Sequence, residues 1–245
     1  MKKDRIDLRA GTLTAPIPPA MVTVGDFDSA NVLTVAWTGI LATVPPNTYI
    51  SGRPSRHSYK ILKEKGEFVI NLPSVNLAKT VDYVGIYTGA KVDKFEKCSL
   101  TKRKSAKVAP PTIAECPVAL ECVVTDVLPM GSHDVFLADI VNVSCDSSII
   151  DSEGKMHFER ADLLAYAHGE YYSLGERVGR FGFSTDKPKK QSPKQKDDAK
   201  EEAVESKEEK RPFYESAPRG KGKNKKAPPS QKGAPHGRRK RSGSK

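Results

Sequence analysis

Short β-branched runs, cut apart by proline and glycine, constrain the fold of this chain more than any other feature of its sequence. Prolines at positions 16, 18 and 19 forbid a helix and favour an extended entry. Residues 21–25 (MVTVG) read as a strand that stops at the turn-forming GDFDSAN. Residues 31–38 read as a second strand, with Val32, Thr34, Ala36 and Thr38 on one side and Leu33, Val35 and Trp37 on the other. Pro45-Pro46 breaks the chain before a strand over 48–51; residues 68–71, 119–128 and 134–145 follow as strands, with a weaker candidate over 155–158. Helices are few and short. Ser58 is placed to cap YKILKEK, which ends at Gly66, and a helix is expected near 77–84 with a loop over 85–92. Nothing alternates long helices with strands as a doubly wound sheet requires, so the pattern predicts a mainly β, antiparallel barrel or sandwich.

Charge divides the chain. Residues 1–185 hold 21 Lys+Arg and 21 Asp+Glu, so the net +11 of the whole chain comes from residues 186–245, with 20 basic and 9 acidic residues. The division predicts one folded domain over 1–185 and a disordered Lys/Arg-rich tail over 186–245, whose apolar residues are too few to offset the entropy of ordering. A basic arm of this kind binds RNA or another polyanion weakly, or simply keeps the protein soluble. Cys98, Cys116, Cys122 and Cys145 show no CxxC spacing, the expectation for reduced thiols in a cytoplasmic protein. No apolar run approaches the roughly 20 residues of a membrane span, so no membrane partner is expected.

Residues 31–71 carry the chemistry. Ser51, Arg53, Arg56 and Ser58 lie within eight residues and bracket a turn before a helix start. Guanidinium forks, hydroxyls and free N–H groups at such a turn are what a phosphate monoester requires; an exposed arginine pair with ordinary surface partners is the competing reading. Asn31, Thr34, Ala36 and Trp37 could present amide, hydroxyl and backbone groups to a flat heterocycle, or Trp37 could be a core residue. Asn71 ends a strand that reads as buried, and needs partners there, from the protein or from a ligand.

Other chemistries are absent from the text of the sequence. There is no GxSxG, HExxH or GxxxxGK[ST], and no GxGxxG after a strand, so any nicotinamide use proceeds without a Rossmann module. The five histidines are scattered, and no metal site is expected. His133, in a turn before a strand, reads as a turn residue or as a proton donor.

The blocks NVLTVAW, PP, ISGRPSRHSYKILKEKGEFVIN, TGAKVDKFE, GSHDVFLADIV and YYSLGERVGRFGFS, in that order, resemble the flavin reductase-like, FMN-binding split-barrel family that includes the flavoredoxins. The resemblance spans about residues 12–184. It implies a six-stranded Greek-key split β-barrel that forms a homodimer and binds FMN noncovalently. It further implies that Asn31, Thr34, Ala36 and Trp37 lie along the isoalloxazine with Thr43 beside it. Ser51, Arg53, Arg56 and Ser58 would hold the phosphate, Asn71 and Leu72 would line the ring or ribityl chain, and Lys91 and Phe95 would join the same pocket. The implied activity is electron transfer from NAD(P)H through FMN to free flavin or another acceptor, or, as a carrier, to a redox-protein partner. No protein nucleophile is needed, because the cofactor performs the redox step.

Overall fold

A computed structural model describes residues 4–185 of the chain. The basic arm over 186–245, with its expected disorder and polyanion binding, lies outside the described residues.

In chain order the elements are β1 (Ala20–Val24), β2 (Asn31–Val35), β3 (Thr38–Thr43), β4 (Pro46–Gly52), α1 (His57–Lys65), β5 (Glu67–Leu72), α2 (Ala78–Ile86) and α3 (Lys94–Lys97). They continue with β6 (Lys102–Arg103), β7 (Thr112–Ile113), β8 (Val118–Pro129), β9 (Asp134–Cys145), β10 (Leu164–Ala167) and β11 (Glu170–Ser173). One seven-stranded sheet runs in the order β2-β1-β5-β8-β9-β4-β3, and every pairing in it is antiparallel. The mainly β architecture expected from the sequence is what the chain adopts.

The strand count departs from the expected six for a local reason. Residues 31–38 do not form one strand: the ladder stops at Val35 and resumes at Thr38, leaving Ala36 and Trp37 as a link. β2 and β3 lie at opposite ends of the strand order yet are joined by those two residues, so the sheet has to curl until its edges are neighbours. No ladder pairs β2 with β3. Trp37 is therefore not a core residue; it is 40% exposed. Among the other expectations, 155–158 forms no strand but a single bridge, Ile150 with Met156, followed by a 3-10 turn. The second helix runs two residues further than expected, to Ile86.

The core follows from strand alternation. Val22 and Val24 of β1 point to one face with Ile50, Phe68, Ile70, Phe136 and Leu62 of α1. Met21 points to the other, where Val32, Val81, Val84 and Phe95 cover it. β1 and the middle of β5 are thus buried on both sides, and burial of each large side chain contributes roughly 1.5–3 kcal/mol. α1 ends where Gly66 takes a left-handed conformation (φ 68°) and donates its N–H to the Leu62 carbonyl at 2.9 Å, which turns the chain straight into β5.

Two buried polar groups strap the 104–113 segment onto the sheet. Glu121 of β8, 1% exposed, accepts hydrogen bonds from the backbone N–H groups of Ala106 and Lys107 and from the Asn142 amide. Asn71 of β5 donates to the Met21 carbonyl and accepts from the Ile113 N–H, both at 2.9 Å. Among the described residues each buried side-chain nitrogen and oxygen finds a partner, as an interior demands.

Candidate functional site

The turn between β4 and α1 is the sequence GRPSR, with the Arg56 N–H bonded to the Arg53 carbonyl at 3.0 Å. Arg56, in extended conformation, precedes the first helical residue, His57, and supplies no side-chain cap; the first turn of α1 holds no acidic residue. The expected cap, Ser58, lies inside the helix instead, 3% exposed, where its Oγ accepts from Asn31 Nδ2 at 2.6 Å. The first N–H groups of the helix and the Arg56 guanidinium thus share one end of α1, an arrangement suited to an anion.

That end of α1 forms one wall of a cleft of about 250 Å³. β2 contributes Asn31, Leu33 and Thr34; the end of α2 and the loop after it contribute Val84, Gly85, Tyr87, Thr88 and Gly89; α3 contributes Lys94. A side chain would be crowded at two of these positions, severely at Gly89 and tightly at Gly85. A Cβ on Gly89 would lie 2.3 Å from Asn31 Oδ1, and one on Gly85 would lie 3.2 Å from Thr34 Cβ. The absence of side chains at these positions lets the loop close down on β2.

Lys94 is the unexpected member. Asp93 caps α3 by accepting from the N–H groups of Phe95 and Glu96, which turns Lys94 inward until it is 3% exposed. Its Nζ donates to the carbonyls of Val32 at 2.7 Å and Val84 at 2.9 Å. An ammonium has three protons, so one remains for the cleft. Burial, with a smaller push from the positive charge of Arg56, brings its pKa down to about 8. Arg53 and Arg56 take part in none of the ion pairs among the described residues, which are Lys65 with Asp26 and His157 with Asp151 and Glu159. Three cationic side chains thus line one cleft without a carboxylate ion pair.

At the Arg53 end stands an aromatic pair. The Trp37 indole and the His133 imidazole lie with centroids 4.6 Å apart, and Arg53 Nε donates to His133 Nε2 at 3.3 Å. His133 therefore carries its proton on Nδ1, 2.9 Å from Ser132 Oγ. Burial and the Arg53 charge both lower its pKa, which keeps the ring neutral. At the α2 end, Tyr87 stacks on Tyr83 with centroids 4.2 Å apart and the rings 26° from parallel.

Of the residues singled out in the sequence, Asn31, Thr34, Arg53, Arg56 and Ser58 meet in the cleft. Trp37 adjoins it through His133; Ser51 supports Trp37 by donating its N–H to the Trp37 carbonyl at 2.9 Å, and Ala36 is the other half of the link. Lys91 is exposed on the turn that carries Gly89, its N–H bonded to the Thr88 carbonyl. Four residues are not part of this cleft. Thr43 is exposed at the far end of the β3–β4 hairpin, paired with Pro46. The Asn71 amide is used by Met21 and Ile113, Leu72 packs against the core, and Phe95 is buried under α2 and β2. Lys94 and Tyr87 escaped the sequence reading, and His133, read there as a turn residue or a proton donor, was not connected to this cleft. The Asp93…Glu96 spacing is a helix-start signal that could have oriented Lys94. His133 comes beside Arg53 only through the pairing of Asp134 with Gly52, a long-range register.

Residues 13–175 match the model of the flavin reductase like domain. The flavoredoxin of Desulfovibrio vulgaris (Miyazaki F) is 31% identical and superposes with a TM-score of 0.69, covering 76% of this chain and 100% of its own. An FMN-binding protein from Thermus thermophilus, solved with 1-cyclohex-2-enone, shares the fold at a TM-score of 0.60 and 20% identity, over 74% of this chain and 98% of its own. An uncharacterized protein of Archaeoglobus fulgidus is 34% identical over 136 residues, which span 56% of this chain and 77% of the relative.

Proposed function

This chain belongs to the flavin reductase-like family, and from that premise we propose that it is an FMN-binding oxidoreductase that takes electrons from NAD(P)H and delivers them to free flavin or another acceptor. The observation that carries the reading is the cleft with Arg53, Arg56 and Lys94 around the buried Asn31–Ser58 pair. These donors fit a phosphate monoester: two guanidiniums, an ammonium with a spare proton, and the open end of α1. Gly85 and Gly89 keep the cleft narrow enough for Thr34 and Thr88 to reach a polyol chain.

FMN, when bound, supplies the hydride and electron chemistry. The protein's part is binding, orientation and charge. Arg53, Arg56 and Ser58 hold the phosphate, with Lys94 completing its neutralisation from beneath. Trp37 and the neutral His133 would border the ring. Asn31 is fixed by Ser58, with its side-chain oxygen against Gly89. A homodimer is part of the same proposal; the exposed Ile40, Leu41 and Val44 of the β3–β4 hairpin support it. Free thiols at all four cysteines suit a reducing, cytoplasmic setting. No helix among the described residues is long and apolar enough to cross a membrane.

The second reading is an electron carrier that exchanges electrons with a protein partner, favoured by likeness to a flavoredoxin over that protein's whole length. One experiment separates the two. The purified protein is expected to show a flavin absorption spectrum that bleaches on anaerobic titration with NADH or NADPH. Bleaching by neither, with flavin bound, leaves the carrier; a colourless protein that FMN does not reconstitute removes both.

A further inference from the structure

A second cavity, of about 260 Å³, shares no lining residue with the cleft. It is bounded by the β6–β7 ribbon, the start of β8, and the end of β9 with the 3-10 turn Ser147–Ile149 that follows. Arg103 lies opposite Thr112 in the ribbon, so their side chains share one face, and both residues line the cavity. Asp146 lines it from the other wall, with Ser144 before it in the chain and Ser147 after it. A cation and an anion thus share one cavity without pairing: neither joins any ion pair among the described residues. We propose that this cavity binds a free α-amino acid with an apolar side chain, its carboxylate on Arg103 and its ammonium on Asp146.

Charge selects the class of ligand. A guanidinium fork matches a carboxylate, but a simple anion here is opposed by Asp146 and a simple amine by Arg103. A zwitterion satisfies both. Asp146 keeps its charge, because the Ser148 N–H donates to its Oδ1 at 2.8 Å, and the Ser148 backbone and hydroxyl hold its carboxyl below the usual carboxylate range. Its second oxygen is left for an ammonium. The hydroxyls of Ser144 and Ser147 enter no hydrogen bond among the described residues, so they can serve the same ligand. The side chain is selected by Ile113, Cys116 and Ala119, which are buried and line the cavity. Burial pushes the Cys116 thiol up, so this part of the wall stays uncharged. The walls are also fixed in advance. Thr112 Oγ1 donates to the Arg103 carbonyl at 3.2 Å, the Ala114 N–H to the Thr101 carbonyl at 3.0 Å, and the Asp146 N–H to the Pro117 carbonyl at 2.8 Å, so little ordering remains to be done on binding.

The test titrates the full-length protein and follows its backbone amides by NMR. L-leucine is the probe; isocaproate, which lacks the ammonium, isoamylamine, which lacks the carboxylate, and inorganic phosphate are the comparisons. L-leucine is expected to shift the amides of Thr112 and of residues 144–147 saturably and to leave those of Gly85 and Gly89, in the cleft, unmoved. Isocaproate and isoamylamine should each bind about tenfold more weakly or worse. Arg103→Gln, and Asp146→Asn, which keeps an acceptor for the Ser148 N–H, should each weaken L-leucine about tenfold with the urea midpoint unchanged. No saturable shift with L-leucine, equal binding of isocaproate or isoamylamine, tighter binding of phosphate, or an unchanged L-leucine affinity in either variant overturns the assignment.

Discussion

Lys94 Nζ lies 2.7 Å from the Val32 carbonyl oxygen, and this contact ties a buried positive charge to the strand that forms the floor of the cleft. With Val84 as second acceptor, the ammonium is solvated by backbone dipoles in place of water. The burden of desolvation is visible in its pKa, down to about 8.

Lys94 is expected to set an alkaline limit on binding of the phosphorylated flavin. FMN affinity should fall as pH rises through about 8, where the free protein loses this charge. Lys94→Met should bind FMN roughly 10- to 100-fold more weakly at pH 7 and show no such edge, in fluorescence titrations at pH 6.5 to 9.5. The apoprotein moves the other way. A lysine whose folded pKa is lowered is more protonated when unfolded, so stability rises with pH above about 8, and the urea midpoint should show that rise in the parent and not in Lys94→Met.

In the proposed function Arg56 serves the phosphate, and its charge lowers the Lys94 pKa after the larger effect of burial. Arg56→Gln should weaken FMN roughly 10- to 100-fold while leaving riboflavin, which lacks the phosphate, within about twofold. The alkaline edge of any remaining FMN binding should shift upward. Equal losses for the two flavins would place Arg56 outside the phosphate site.

Glu121 is expected to govern the strap over residues 104–110. Glu121→Ala leaves the N–H groups of Ala106 and Lys107 and the Asn142 amide without their acceptor, a cost of about 3 kcal/mol in urea unfolding. Limited proteolysis should then cut first near Lys104 or Lys107. Flavin affinity should be little changed, because none of these residues lines the cleft.

His157 gives a pH dependence of its own, remote from the cleft. Its ring nitrogens meet Asp151 Oδ2 at 2.7 Å and Glu159 Oε1 at 2.8 Å, so both must carry protons, and the two carboxylates, Asp151 foremost, raise its pKa against desolvation and the opposing charge of Arg160. A histidine whose folded pKa is raised stabilises fully below its unfolded value near 6.5 and loses that contribution as pH climbs through the folded value. Urea midpoints of the parent should therefore decline from pH 6 to 8.5 relative to His157→Gln, with hydrogen exchange in 150–160 accelerating in step.

Much of this architecture was legible in the sequence, and the reasons it stopped are physical. β9 is a twelve-residue run with turn residues on either side, and its expected bounds agree with Asp134–Cys145. The turn that brings Arg53, Arg56 and Ser58 to one cleft was legible because these residues are close in the chain, and local chemistry needs no register to be read. The break at Ala36–Trp37 was not, since alternation continues through it and only the curl of the whole sheet interrupts the ladder. Asn71 shows the limit most clearly. A buried asparagine at a strand end is equally a ligand contact or an internal clamp until Ile113, far along the chain, supplies the N–H that decides its use.

The link between β2 and β3 gives the protein a built-in optical reporter. The chain has one tryptophan, and it sits where the first and last strands of the sheet order meet. Hairpins such as β1–β2 or β8–β9 can assemble without bringing that indole against His133. The environment of Trp37, with His133 beside it and the Ser51 N–H on its carbonyl, is complete only when β4 has paired with both β3 and β9, so its fluorescence follows that assembly and is silent about the parts that form before it.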